Sequence, residues 1–236
     1  MIFATLLLVA ATEPIQMVTS TVNGIKTRAI IADLNDKRVR YGVVVAKGMP
    51  GGDEDFGSMF RASGSVAAVN GTYFDKGTKR PIGDIVIDGK TVHEGRMGTA
   101  LTMTADRKFD IFRVVRHRSY AWGAYESVVA CGPALVLDGK IDVDPNSEGF
   151  RDPSIFGRIR RMGVGYTKSG KLIFVQCLSG CDFDTMAAVF FKLGCHEAMN
   201  LDAGASLAMA YRGQVVTAPG RKLTNILCLW QDPGQQ

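Results

Sequence analysis

Residues 85–92 read IVIDGKTV, so that an Asp-Gly pair separates two runs rich in β-branched residues. Glycine reaches the positive φ angles of a tight turn without strain, and the stretch around Asp88 and Gly89 therefore predicts a β-hairpin. Turn signals divide the chain into short apolar segments at four further places: Asn35-Asp36-Lys37, Asp138-Gly139, Ser169-Gly170 and Arg212-Gly213. Five such units in one chain of domain length predict a fold rich in antiparallel strands.

One amphipathic helix is expected among these β segments. Asp184 is a candidate N-cap for a helix over residues 185–193, and Gly194 ends the pattern. Apolar residues follow the i, i+3, i+4, i+7 spacing of a helix that packs one face on a sheet: Met186, Val189, Phe190 and Leu193. A short helix is also expected near residues 58–62. The predicted fold class is α+β, with a mainly antiparallel β core and a few packed helices.

Composition predicts a globular protein with one domain. The chain has 236 residues, of which 46% are apolar and 22% charged, and a second full domain would be cramped. A net charge of +5 and a pI near 9.0 favour anionic partners, although the charge could also serve solubility alone. The most basic stretch, residues 113–118, interleaves basic and apolar residues like a solvated strand face. We therefore expect no nucleic-acid partner.

The N-terminus carries the features of an export signal. Residues 2–11 form an apolar run, and Val9 and Ala11 are the small residues that a signal peptidase requires before a start at Thr12. We therefore expect a signal peptide over residues 1–11, a single domain over residues 12–236 and a periplasmic or secreted location. No Lys or Arg precedes the run, so a buried first strand is the alternative. The run is about half as long as a membrane span, and no stable span is expected.

Cysteine and histidine usage indicates neither a disulfide scaffold nor a zinc site. The five cysteines are scattered and odd in number, and we interpret most of them as small core residues. Cys177 and Cys181 could form a local bridge, but their separation alone does not establish one. None of the three histidines has zinc-ligand spacing to a cysteine or another histidine. The chain also has no Gly-x-Ser-x-Gly, Gly-x-x-x-x-Gly-Lys or His-Glu-x-x-His motif.

Polar residues stand where the pattern predicts burial, and they are the candidate functional residues. Asn70 and Gly71 follow the small apolar segment Ala67-Ala68-Val69, where the amide could contact a ligand or satisfy a plain turn. Three arginines precede Gly163-Val164-Gly165, and Arg161 is the candidate anion ligand because it lies nearest these small residues. Loops near residues 48–64 and 149–160 are expected to be long and exposed, as binding loops tend to be.

Residues 195–206, with the sequence CHEAMNLDAGAS, contain the sharpest candidates. Asn200 and Asp202 alternate with buried residues and so lie on one face of a short strand, which ends in Ala-Gly-Ala. This pattern predicts a strand end that opens onto a tight pocket, where a carboxylate can act as general acid or base or orient a sugar hydroxyl. A hydrogen-bonded turn is the alternative.

In their order along the chain, these pieces resemble the phosphodiester glycosidase family. Six segments carry the resemblance over residues 66–229: residues 70–75, 131–140 and 161–165, the helix that ends in Leu193-Gly194-Cys195, residues 200–204 and residues 221–227. The chain departs from the family pattern at Thr72, Met162 and Ala203. The methyl group of Ala203, where the family has glycine, could narrow the pocket or alter the backbone.

The resemblance implies an α+β hydrolase that cleaves a glycosidic bond to phosphate or a related glycoside. It implies that Arg161 binds the phosphate, that Asp202 is the acid/base or sugar-orienting group and that Asn70 and Asn200 bind ring hydroxyls. Further residues are expected at the substrate: Gly71, Asp75, Gly204, Ser206 and Arg221. For Arg221, a structural salt bridge is the alternative.

Two other functions stay open. One is a non-catalytic envelope protein that binds anionic glycans with the same pocket. The other is a metal-dependent phosphodiesterase that uses Asp75, Glu197 and Asp202. A hard, oxygen-ligated ion such as calcium is compatible with such a site, although the chain has no compact Asp-rich calcium loop.

Overall fold

The structure is a computed structural model that describes residues 13–114 and 119–232. The expected signal peptide, residues 1–11, lies outside the described residues, as do residues 115–118 of the basic stretch. In the part of the chain that is described, no helix is long and apolar enough to cross a membrane.

Strands dominate the fold, and the described residues contain two α-helices. The strands are β1 (Ile15–Val22), β2 (Ile25–Asp33), β3 (Val39–Val45), β4 (Ala67–Asn70), β5 (Ile85–Ile87), β6 (Lys90–His93), β7 (Thr99–Thr104), β8 (Phe109–Arg113), β9 (Tyr125–Cys131), β10 (Ala134–Leu137), β11 (Lys140–Ile141), β12 (Met162–Tyr166), β13 (Lys171–Cys177), β14 (Glu197–Asn200), β15 (Met209–Tyr211), β16 (Gln214–Thr217) and β17 (Asn225–Gln231). The helices are α1 (Phe56–Ser63) and α2 (Phe183–Lys192).

The strands form three antiparallel sheets around one core. Seven strands form the largest sheet in the order β1-β2-β13-β12-β14-β10-β11, and five strands form each of the others, β16-β15-β4-β17-β3 and β6-β5-β9-β7-β8. Side chains from all three sheets meet in a central apolar cluster that includes Phe174, Leu101 and Leu227. Helix α2 covers the outer face of the largest sheet, and α1 covers that of the second. The α+β prediction with a mainly antiparallel core is confirmed.

Four of the five turn signals join hairpins. Asp88-Gly89, Asp138-Gly139 and Arg212-Gly213 have positive φ angles at both residues and connect β5 to β6, β10 to β11 and β15 to β16. Ser169-Gly170 connects β12 to β13. The segment Asn35-Asp36-Lys37 differs, because β2 pairs within the first sheet and β3 within the second. That turn carries the chain between sheets rather than closing a hairpin.

Helix α2 begins two residues earlier than the sequence pattern predicts, and the expected N-cap, Asp184, was wrong. Asp182 is the N-cap, and its carboxylate accepts a hydrogen bond from the Thr185 N–H at 2.8 Å. The earlier start places Phe183 in the helix, where its ring packs against the guanidinium of Arg161. The Cζ atom of Arg161 lies 3.8 Å from the centroid of that ring. A tertiary contact therefore decides which of two nearby aspartates caps the helix. Gly194, with φ of 79°, follows the end of the helix as expected.

Candidate active site

One cavity of about 430 Å³ lies where several loops between residues 73 and 221 meet. Its walls come from the segment after β4, the loop of residues 149–159 before β12, the segment after β14 and Arg221 before β17. The volume is within the range of small-molecule sites. Asp202 lines this cavity, together with Ala203 and Gly204, so the strand end predicted to open onto a pocket does so.

Main-chain hydrogen bonds fix the position of Asp202. Its N–H donates to the Gly71 carbonyl at 3.0 Å, and its own carbonyl accepts from Nδ2 of Asn70 at 2.6 Å. The Ala203 N–H donates to the Asp202 carboxylate at 2.7 Å. Together these bonds tie the ends of β4 and β14 to each other and hold one carboxyl group at the cavity wall.

Burial raises the pKa of the Asp202 carboxyl to about 6. Hydrogen bonds from Ser206 and the Ala203 N–H, and the positive charges of Arg221 and Lys76, oppose this rise. A second carboxyl of the cavity behaves in the opposite way, because hydrogen bonds from Ser154 lower the pKa of Asp152. Two cavity carboxyls with pKa values pushed apart are typical of acid/base sites.

Three cationic side chains line the same cavity: Lys76, Arg151 and Arg221. None of them has a carboxylate ion pair with a described residue. Arg151 instead donates to the main-chain carbonyls of Asn146 and Phe150. The structural salt bridge considered for Arg221 is therefore not formed with any described residue. Unpaired cations around a concave site favour an anionic ligand.

Asn70 and Gly71 lie behind the cavity wall rather than on its surface. Both groups of the buried Asn70 amide are engaged, since Nδ2 donates to Asp202 and Oδ1 accepts from the Ala208 N–H at 2.9 Å. A Cβ at Gly71 would lie 1.9 Å from Oδ1 of Asn225, so glycine is required for this close packing. These residues support the site from behind its wall, and direct substrate binding by them stays a prediction.

Asn200 is fully buried and reaches the cavity only through Tyr73. Its Nδ2 donates to the Tyr73 hydroxyl at 2.8 Å and to the Leu201 carbonyl. Tyr73 lines the cavity, and its ring packs edge to face on Phe150 with the centroids 5.8 Å apart. Asn200 is thus tied to the cavity through Tyr73, and its direct contact with a sugar hydroxyl stays a prediction.

Arg161 does not line the cavity, contrary to its expected position as the phosphate ligand. Its guanidinium is fully buried and donates to the main-chain carbonyls of Ile155, Gly157 and Cys181 at 2.6, 2.8 and 2.8 Å. Burial lowers the pKa of this guanidinium. Ile155 belongs to the cavity wall, so Arg161 holds the wall loop from behind.

The small residues beside Arg161 also have a packing role. A Cβ at Gly163 would lie 2.7 Å from Cε2 of Phe190, and one at Gly165 would lie 2.7 Å from Sγ of Cys195. Helix α2 fills the space above β12 that the sequence pattern had assigned to substrate.

The other residues expected at the site after β14 have two different positions, on the cavity wall or behind it. Gly204 lines the cavity, whereas Ser206 is buried and acts through the Asp202 carboxyl. Ala203 has an extended backbone with φ of −140°, which any residue adopts. Its methyl group therefore leaves the backbone unstrained and acts only as part of the cavity wall.

The three carboxylates of the metal hypothesis are not brought together. Asp75 is exposed and binds its own turn, accepting from the Thr78 N–H at 2.7 Å. Glu197 lies at the start of β14, and Asp202 lies beyond its end. Within the described residues, ligand atoms of Glu197, His196 and Asp138 lie within 4.8 Å of one another, in a group that does not line the cavity. The calcium hypothesis stays untested.

Among the cavity residues that sequence reasoning missed are Tyr73, Lys76, Arg151 and Asp152. Two of them are in the loop expected at residues 149–160, and two follow Asn70 closely. Their position in loops beside predicted site residues was the available signal. Loop residues have no periodicity that shows where a side chain points.

The five cysteines are free and buried, which confirms their interpretation as core residues. The Cys177 thiol donates to Sδ of Met186 at 3.2 Å. The local bridge considered from the spacing of Cys177 and Cys181 is not formed.

The three-sheet fold with its loop cavity defines the class of protein as an α+β domain of the phosphodiester glycosidase type. Residues 63–230 match the model of that family, "Phosphodiester glycosidase", and the chain belongs to it. A comparison with curated proteins gives no match.

Three solved structures share the fold. The zebrafish N-acetylglucosamine-1-phosphodiester alpha-N-acetylglucosaminidase catalytic domain, auto-inhibited by its pro-peptide, is 18% identical with a TM-score of 0.73, covering 92% of this chain and 82% of that one. A hypothetical protein from Synechocystis is 13% identical with a TM-score of 0.71, and the match covers 92% of this chain but only 62% of that protein's length. A putative exported protein from Burkholderia pseudomallei is 16% identical with a TM-score of 0.67, covering 87% and 74%.

Proposed function

We propose that this protein hydrolyses glycosidic phosphodiesters, releasing a free sugar and a phosphomonoester. The observation that carries the proposal is the Asp202 carboxyl, whose pKa is raised to about 6, in a cavity lined by three cations that form no ion pair with a carboxylate of the described residues. A proton donor that works near neutral pH and a field that attracts an anion are the two groups that this reaction needs.

The cations supply the substrate preference. A phosphodiester carries one negative charge, and Arg221 is the cation whose field acts on the Asp202 carboxyl most strongly. Its planar guanidinium can bind two phosphate oxygens at once. Arg221 therefore holds the phosphate next to the proton donor, and Lys76 and Arg151 add to the attraction at the cavity mouth.

Asp202 acts as the general acid. In its protonated form it gives its proton to the bridging oxygen as the bond from that oxygen to the anomeric carbon breaks, and the electron pair stays with the phosphate. A water oxygen bonds to the anomeric carbon, and the proton that this water loses passes to the surrounding water. The zebrafish relative acts on an N-acetylglucosamine phosphodiester by its name, which makes this sugar the first substrate to test.

Hydrolysis in water enriched in oxygen-18 tests the bond that breaks. Purified protein is incubated with UDP-N-acetylglucosamine and with simple N-acetylglucosamine phosphodiesters, and the products are weighed by mass spectrometry. We expect the label in the free sugar. Label in the phosphate would show a phosphodiesterase that cleaves the P–O bond, and no product from any substrate would favour the glycan-binding alternative.

We also propose that the protein is exported. The support is the apolar run over residues 2–11 with small residues before Thr12, and one protein of the same fold is described as putatively exported. Expression of the whole sequence in a Gram-negative host and mass spectrometry of the periplasmic fraction test this. A mature protein that begins at Thr12 is expected, whereas uncleaved protein in the cytoplasm would contradict export.

A further inference from the structure

The orientation of the Asn200 amide is determined by its neighbours. Nδ2 faces two main-chain carbonyls, those of Leu201 and Gly132, as well as the Tyr73 hydroxyl at 2.8 Å. A carbonyl oxygen only accepts hydrogen bonds, so the atom that faces Leu201 must be the amide nitrogen. Asn200 therefore donates to the Tyr73 oxygen.

This bond leaves the proton of the Tyr73 hydroxyl for another acceptor. Among the described residues, Asn200 is the hydrogen-bond partner that the hydroxyl has. Asn200 is fully buried, whereas Tyr73 lines the cavity together with Asp202. The charge of Asp202 also acts on the hydroxyl of Tyr73, which places the two groups near each other. This proton is therefore not used within the Asn200–Tyr73 pair, of which Tyr73 is the member that lines the cavity.

We propose that Tyr73 is a further catalytic residue, whose hydroxyl, oriented by Asn200, donates a hydrogen bond to a substrate oxygen beside Asp202. This inference rests on the proposed hydrolysis of glycosidic phosphodiesters. Burial raises the pKa of Tyr73 well above its ordinary value, so the hydroxyl keeps its proton at neutral pH. A neutral hydroxyl can stabilise a developing negative charge through a hydrogen bond, without adding a positive charge to the site.

Asn200 has no exposed surface, and its Oδ1 has no hydrogen-bond partner among the described residues. An asparagine without exposed surface, at the end of a strand, normally satisfies the main chain. Here one amide proton goes to the main chain and the other to a cavity side chain. Asn200 is therefore a positioning residue that acts through Tyr73.

The test compares wild type, Tyr73→Phe and Tyr211→Phe in hydrolysis of an N-acetylglucosamine phosphodiester. The first substitution removes one oxygen and keeps the ring that packs on Phe150. Tyr211, whose hydroxyl donates to the Ile15 carbonyl, does not line the cavity and is the matched control. We expect kcat/KM to fall about 10- to 100-fold in Tyr73→Phe and to stay unchanged in Tyr211→Phe. Equal rates for wild type and Tyr73→Phe would overturn the inference while leaving the proposed function intact.

Inhibition of the same proteins identifies the oxygen that Tyr73 contacts. A rise in the inhibition constant of inorganic phosphate in Tyr73→Phe would assign the bond to a phosphate oxygen, and a rise for free N-acetylglucosamine would assign it to the sugar. If the wild type hydrolyses no substrate, the proposed function fails. The role of Tyr73 is then tested by calorimetric binding of N-acetylglucosamine 1-phosphate. At least tenfold weaker binding by Tyr73→Phe supports the hydrogen bond, and equal affinity overturns it.

Discussion

Nδ2 of Asn70 donates to the main-chain carbonyl of Asp202 across 2.6 Å, joining two residues that are 132 positions apart in the chain. The bond links the end of β4 to the end of β14, which belong to different sheets. The position of the proposed acid therefore depends on a side chain that does not touch the cavity. Two segments that appear as separate motifs in the sequence form one structural unit.

Replacement of Asn70 by alanine tests this link. The substitution leaves the Asp202 carbonyl and the Ala208 N–H buried without partners, and we expect the free energy of unfolding to fall by about 2–4 kcal/mol. Urea denaturation measures the loss. Asn35→Ala, in a surface turn, is the control and should cost less than about 1 kcal/mol. Unchanged stability of Asn70→Ala would show that the link is dispensable.

Arg161→Lys distinguishes a structural role from direct phosphate binding. Lysine keeps the charge but cannot span the carbonyls of Ile155, Gly157 and Cys181. We expect faster amide hydrogen exchange over residues 149–160 and at least tenfold lower kcat/KM. Arg158→Lys, in the same loop but mostly exposed, should change neither quantity much. Lost activity with unchanged exchange in Arg161→Lys would instead support the phosphate contact expected from the sequence.

Arg221→Gln should raise the KM for a phosphodiester about 10- to 100-fold, because the phosphate loses a charge-assisted hydrogen bond. The increase should be smaller at high salt, where the wild-type attraction is screened. The neighbouring Lys222 is exposed and does not line the cavity, so Lys222→Gln is the matched control. Steady-state kinetics at two ionic strengths measure the rise in KM and its dependence on salt. Equal KM values for the two variants would contradict the phosphate role of Arg221.

The raised pKa of Asp202 predicts two pH effects of defined sign. As a general acid it must be protonated, so the rate should fall as the pH rises above about 6. Its folded-state pKa is above the unfolded value of 3.8, so the ionised form opposes folding. Wild type should therefore lose stability relative to Asp202→Asn as the pH rises from about 4 to about 6, with no further change above.

A pH–rate profile and thermal unfolding at several pH values measure these effects. A rate that increases through pH 6 would make Asp202 a base rather than an acid. A stability difference that does not change with pH would contradict the raised pKa itself.

Local chemistry explains which parts of the fold were predictable. Asp88-Gly89 specifies its hairpin because both residues take positive φ angles, and Asn23-Gly24, with the same signal between β1 and β2, could have been recognised in the same way. The turn at Asn35-Asp36-Lys37 looks alike in sequence, yet its two strands do not pair with each other, because β2 lies in the first sheet and β3 in the second. Only the tertiary packing of three sheets decides that difference.

The site was predictable at the ends of strands and not in its loops. Asp202 was identified because a polar residue in an apolar run is unusual, and the structure places it in the cavity. The same signal at Asn70, Asn200 and Arg161 correctly marked buried polar residues but not the partners that they bind. Spacing shows that a side chain is enclosed, whereas its direction depends on contacts far away in the chain.

The proposed role of Asp202 as the general acid is best tested by a joint assay of Asp202→Asn and Glu197→Gln. Both residues are partly buried carboxyls with raised pKa values, about 6 and about 7, near opposite ends of β14, but Asp202 alone of the two lines the cavity. Release of N-acetylglucosamine from a sugar phosphodiester is measured, with thermal unfolding to confirm folding. We expect at least a 100-fold loss of turnover in Asp202→Asn and near wild-type turnover in Glu197→Gln. Turnover that survives in Asp202→Asn would contradict the account.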